Sequence, residues 1–169
     1  MSADLRELLA ADQAELVRAL AGLSPTPEGF NGAHLERTSA ALAQKRVRAA
    51  EKVWPELQLA LGTGFAMLFK EYVIDHPAPP TGGPACDAFS FAAFLSSRRQ
   101  LPPEAQSFWL SLRLHYRCSK NGLSPRRGLG IAWEILHDSG KLLIGLRLGT
   151  IREWRFSVPM PRSAHVTHT

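Results

Sequence analysis

The stretch SAALAQKRVRAAEKVWPELQLALGTGFAMLFKEYVIDHP, residues 39–77, decides the fold. It reads as a helix carrying basic residues, a break at Trp54-Pro55, and a second helical stretch rich in large apolar side chains. Pro55 disfavours helical geometry at Trp54, so a kink or a fresh helix start belongs there. Before the break, Leu35, Leu42 and Ala49 recur at seven-residue steps with Val53 following, which predicts an inward face. Asn31 is placed to cap this helix, because its side-chain oxygen can accept from a free backbone N–H. Lys45, Arg48 and Lys52 lie on a different face, with Arg46 nearby; they form either a solvated surface or a contact for an anionic partner. After the break, Gly62-Thr63-Gly64 lacks the following lysine and hydroxyl and the preceding strand of a phosphate loop, so a tight turn is expected. Phe65, Leu68, Phe69, Tyr72 and Val73 then make a broad apolar stripe suited to a core.

Outward from this centre, Leu5, Leu8, Leu9, Leu16 and Leu20 recur at three- and four-residue steps, predicting a leading helix that ends near Gly22 and Ser24-Pro25. Pro77, Pro79, Pro80, Gly82 and Gly83 make a loop. Asp87 is placed to cap a short helix with Phe89, Phe91, Phe94 and Leu95 on its buried face, and Leu101-Pro102-Pro103-Glu104 opens another. From Leu112 the period changes to two: Leu112, Leu114, Tyr116 and Cys118 alternate with polar residues as in a half-buried strand, although Leu110 to Leu114 could equally extend the preceding helix. Residues 120–128 read as a loop. Alternation resumes at Ile131, Trp133 and Ile135, then at residues 141–148, then at Trp154, Phe156 and Val158. These predict three or four antiparallel strands joined by short turns, one of them at Asp138-Ser139-Gly140. The expected class is α+β: an N-terminal helical bundle followed by a small antiparallel β-sheet. The expected units are a helical domain over 1–108, a β-rich domain over 109–160, and a loose tail over 161–169.

An apolar fraction of 45% with 21% charged residues excludes a disordered chain. No apolar run reaches the roughly 18–20 residues of a membrane span, and the acid-bearing N-terminus lacks a signal-peptide core. A cytoplasmic setting is expected, with Cys86 and Cys118 as ordinary thiols in no metal-ligand or redox spacing. The net charge of +5 permits an acidic partner without demanding one.

Chemistry is not visible as a motif. The six histidines are scattered, with no His or Cys at a zinc spacing. No nucleophile elbow, Cys–base pair or paired carboxylates occur. No cofactor and no metal are therefore expected, and the reading is of a protein that is not an enzyme. The sheet offers something different: its two outer strands carry unpaired backbone groups to which an extended peptide can add. Arg126, Arg127, Arg147, Arg152 and Arg155 nearby favour an acidic peptide. The candidate contact residues are Lys45, Arg48 and Lys52 on the basic helix, and Trp133, Arg147, Trp154 and Arg155 in the sheet.

The order of features carries a resemblance. A leading helix, then Leu42-x-x-Lys45-Arg46, Trp54-Pro55-x-Leu57, Leu61-Gly62, Phe65-x-x-x-Phe69-x-x-Tyr72, Pro77-x-Pro79, and Asp87-x-Phe89-x-Phe91-x-x-Phe94-Leu95 resembles the helical domain of a family labelled DNA-binding. That family includes partner proteins of multinuclear non-haem iron-dependent oxidative enzymes, which modify ribosomally made peptides. The resemblance spans residues 5–105, and the β-rich tail looks like the C-terminal domain of actinobacterial-type members. It implies a non-catalytic subunit that contacts a metal-dependent oxidative enzyme and helps present the precursor peptide. The alternative is a DNA-associated regulator using the Lys45–Lys52 helix, although no helix-turn-helix spacing with an Asn-, Gln- and Arg-rich recognition helix is present.

Overall fold

The computed structural model describes residues 3–21, 24–79, 81–119, 121–136, 139–149 and 152–160. Among these, six helices precede five strands: α1 (Ala3–Leu20), α2 (Gly32–Val53), α3 (Pro55–Leu61), α4 (Gly64–Asp75), α5 (Gly83–Ser97) and α6 (Pro103–His115), then β1 (Tyr116–Ser119), β2 (Gly122–Pro125), β3 (Leu129–Leu136), β4 (Lys141–Leu148) and β5 (Arg152–Pro159). The class is α+β. No helix of the described residues is long and apolar enough to cross a membrane.

Local chemistry sets the helix limits. Asn31 Oδ1 accepts from the His34 N–H at 3.1 Å and caps α2. Pro55 is the first residue of α3, where its missing N–H costs nothing. Pro103 does the same for α6. Phe65, Phe69 and Tyr72 of α4 meet Phe91 and Phe94 of α5 with ring centroids 4.8–5.6 Å apart. Burying each such ring stabilises the fold by roughly 1.5–3 kcal/mol, so this aromatic cluster is the centre of the helical body.

One polar group is built into that centre. Asp87, expected as a helix cap, instead sits inside α5 and is buried, because Gly82 takes the capping position. Its carboxylate accepts from Arg46 Nε at 2.9 Å and Arg46 Nη2 at 2.8 Å, and from the Tyr72 hydroxyl at 3.1 Å. Arg46 also donates to the His76 carbonyl. The clasp joins α2, α4 and α5. Burial pushes the Tyr72 pKa well above its ordinary value, and the Asp87 charge and hydrogen bond push it further. Because the folded pKa is the higher one, this contribution is complete below the unfolded value near pH 10 and is lost as pH rises beyond it. We expect a steeper alkaline loss of stability than in Tyr72→Phe, by up to about 1.4 kcal/mol per pH unit above pH 10, measured by urea titration at pH 9, 10 and 11.

Several expectations need correction. The helix α6 runs through His115, so residues 112–115 are helical and only Tyr116 to Ser119 extend as a strand. Leu110 and Leu114 are one helical turn apart and both fully buried, which outweighs the two-residue alternation. Helix α6 thus includes residue 108. Residues 122–125, read as loop, form β2 and pair with β1. On α2 the buried positions are Leu35, Val47 and Ala50, while Leu42 and Val53 are exposed. Cys86 and Cys118 are joined as a disulfide with Cα atoms 5.7 Å apart, tying α5 to β1. The turn expected at Asp138 and the tail over 161–169 lie outside the described residues, apart from Ser139 and Gly140.

Candidate functional site

The strands β3, β4 and β5 form an antiparallel sheet in that order. Period-two geometry gives it two faces. One carries Gly130, Ala132 and Glu134 of β3 with Gly145 and Arg147 of β4, all buried against α6. Small residues are required there. A Cβ on Gly130 would lie 2.8 Å from the Leu114 carbonyl oxygen, and one on Gly145 would lie 2.6 Å from the Leu114 side chain. The helix therefore presses directly on the sheet backbone.

Two charged groups fix this contact. Glu134 accepts from Ser96 Oγ at 2.6 Å and from Arg113 Nη1 at 3.2 Å. Arg147, expected as an exposed contact residue, is buried at 4% exposure. Its guanidinium donates to the carbonyls of Leu114, Arg126 and Gly149 at 3.0, 2.6 and 2.5 Å. Leu114 lies in the last turn of α6, where free carbonyls and the helix dipole favour a cation. Arg147 is thus a structural link. Arg155 lies on this same face and is engaged with Glu153 Oε1 at 2.7 Å and Ser111 Oγ at 2.5 Å.

The opposite face is the unusual one. The strand register aligns Ile131, Leu146 and Trp154 in one row, Trp133, Ile144 and Phe156 in the next, and Ile135, Leu142 and Val158 in a third, with Leu129 beside Leu148 at the end. Among the described residues no helix covers these side chains: Trp133 is 56% exposed and Phe156 50%. At the usual size of such side chains, the open surface is on the order of 800 Å², well beyond the few hundred that soluble monomers usually leave bare. A standard interface takes about 800 Å² from each partner. Small residues thus face the helix and large apolar ones face outward, the reverse of a sheet whose only task is to cover a core.

The sheet edges differ as well. On β3 the outward carbonyl of Trp133 is occupied by Arg113 Nη1 at 2.6 Å. That places the bonded pairs of β3 at even positions. The Met160 N–H, which reaches the Gly140 carbonyl, places the inward groups of β5 at even positions too. The outward groups of β5 then belong to Glu153, Arg155 and Ser157. No backbone bond to them occurs among the described residues.

The predicted contact residues are therefore divided. Trp133 and Trp154 share the open apolar face, Arg147 and Arg155 lie behind it, and Lys45, Arg48 and Lys52 are exposed on α2 with no ion pair among the described residues. Sequence reading missed Ile131, Leu148, Phe156 and Val158 as contact residues, although their alternation in register was the available signal. Among the described residues no three of His, Cys, Asp and Glu gather closely enough to hold a metal ion.

The described residues thus form a helical body with one bare apolar sheet face. The family model described as SCO6045-like, C-terminal domain matches residues 10–97, and the chain belongs to that family. A UPF0276 protein of Streptomyces avermitilis is 41% identical over 90 residues, covering 53% of this chain and 18% of the relative. The chain thus spans less than a fifth of that relative's length. No solved structure matches.

Proposed function

We propose that the protein is a non-catalytic accessory subunit that docks on a metal-dependent, iron-using oxidative enzyme and helps hold that enzyme's ribosomally made precursor peptide. The observation that carries this reading is the uncovered face of Ile131, Trp133, Trp154, Phe156 and Val158, since an apolar surface of that extent is stable in water chiefly when a partner covers it. The resemblance supplies the kind of partner. The relative in which the matched segment is under a fifth of the chain supports it in a general way, because there a domain of this kind is joined to much other protein. The free β5 edge is the natural place for the extended peptide, with Arg152 exposed on that strand for acidic side chains. The chain itself supplies no cofactor on this reading.

The test is biolayer interferometry between this protein and a multinuclear non-haem iron oxidative enzyme from the same genome, with and without that enzyme's precursor peptide. Submicromolar binding that tightens with peptide supports the reading; no binding at tens of micromolar ends it.

DNA binding through α2 is favoured by one observation, the free, exposed row of Lys45, Arg48 and Lys52. Three phosphate contacts would give a slope of about −2.7 for log K against log salt. On the accessory reading, duplex titration at low salt instead detects no binding that Lys45→Ala, Arg48→Ala and Lys52→Ala together remove.

A further inference from the structure

Two surfaces of the helical body are unmatched, and each has the chemistry the other needs. Residues 4–15 of α1 are exposed at every position. Leu5 and Leu9, at 55% and 49% exposure, stand on the same stripe as Leu16 and Leu20, which reach the body of the molecule. A helix of about 12–15 residues without tertiary cover is marginal in water, so this segment needs a surface to lie on. Where α1 does meet the body, Ser39 Oγ donates to the Leu20 carbonyl at 2.9 Å. Beside that contact opens a cleft of about 540 Å³, its walls almost wholly apolar: Val17 of α1, Leu42 and Ala49 of α2, Val73 of α4 and Pro84 of α5.

The charges are complementary. α1 carries Asp4, Glu7, Asp12 and Glu15 against only Arg6 and Arg18. Lys45 stands in the wall of the cleft, and Arg48 and Lys52 continue its basic row along α2. A small apolar ligand would fill the cleft and leave the leucines and acids of α1 in water. A second α1 satisfies both surfaces at once.

We infer that the occupant is the N-terminal half of α1 from a second copy of this chain. The exchange is reciprocal, each α1 lying in the other copy's cleft, so the interface is isologous and closes as a two-fold dimer. It uses neither the sheet face nor the β5 edge, and it stands or falls apart from the accessory-subunit reading.

Sedimentation velocity on the full chain, from micromolar to several hundred micromolar, tests it. The expected result is a monomer–dimer equilibrium. Leu5→Glu with Leu9→Glu weakens it by about thirtyfold or more, and so does Leu42→Glu, as truncation of interface anchors does. All three leucines are exposed in the single chain, so far-UV circular dichroism melts of the variants should match the parent at low concentration. Mixing the helix variant with the cleft variant should restore a weaker heterodimer, because one intact α1 then meets one intact cleft. A protein that stays monomeric throughout overturns the proposal, as does a dimer that survives either substitution or a mixture that forms no heterodimer.

Discussion

Trp133→Lys combined with Phe156→Lys is expected to weaken binding of the proposed partner enzyme by thirtyfold or more while leaving the fold intact. The two side chains are neighbours in the central row of the open sheet face, across Ile144. Aromatic anchors at the centre of an interface commonly contribute 2 kcal/mol or more each when truncated, and a lysine there adds the cost of burying an unpaired charge. Both rings are about half exposed, and within the chain Arg113 lies over the Trp133 ring at 5.9 Å, so unfolding free energy should move only modestly, by about 1 kcal/mol. Titration calorimetry against the partner, alongside urea unfolding, separates the two effects. A large loss of stability would mean that the face is held by the protein's own packing. Unchanged affinity would move the docking surface elsewhere.

Asp87→Ala should cost about 3–5 kcal/mol of unfolding free energy, because it strands the Arg46 guanidinium in a largely buried position. The carboxylate accepts three hydrogen bonds from two helices, and it is 4% exposed. Arg46 lies over the Phe69 and Tyr72 rings at about 6 Å, which offsets only part of that loss. Removing both charges, as Asp87→Leu with Arg46→Met, should cost less than the single substitution, since no unpaired ion is left. Urea unfolding of the single and double variants decides it. A double variant no more stable than Asp87→Ala would show that the clasp itself, rather than the stranded charge, sets the cost.

The parts of the fold legible in the sequence are those fixed by local chemistry. The Trp54-Pro55 break, the Asn31 cap and the Pro103 helix start depend on residues within a few positions of one another, and the Phe65–Phe69–Tyr72 stripe has one outcome at helical spacing. What escaped depends on neighbours distant in sequence. Leu112 and Leu114 satisfy a two-residue period, yet Leu110 and Leu114 also satisfy a helical one, and only packing against Ala132 and Leu143 selects between them. The seven-residue spacing on α2 picks out Leu35, which is buried, together with Leu42 and Val53, which are exposed, while the other packed positions, Val47 and Ala50, lie off that stripe. Alternation in β3 to β5 announced two faces without saying which one α6 would cover. Gly130, Ala132 and Gly145 were the clue, since only a face of small residues lets a helix approach so closely. The same geometry explains why Trp133 and Trp154 are open while Arg147, on the face behind them, is committed to three carbonyls.

Side-chain footprinting by photogenerated carbene, read by mass spectrometry with and without the partner enzyme, addresses the central claim most directly. Labelling of Ile131, Trp133, Trp154, Phe156 and Val158 should be strong in the free protein and suppressed in the complex, with the exposed α2 side chains unchanged. Equal labelling of those five residues in the two states, or protection confined to the helices, would contradict a role exercised through the outer face of the sheet.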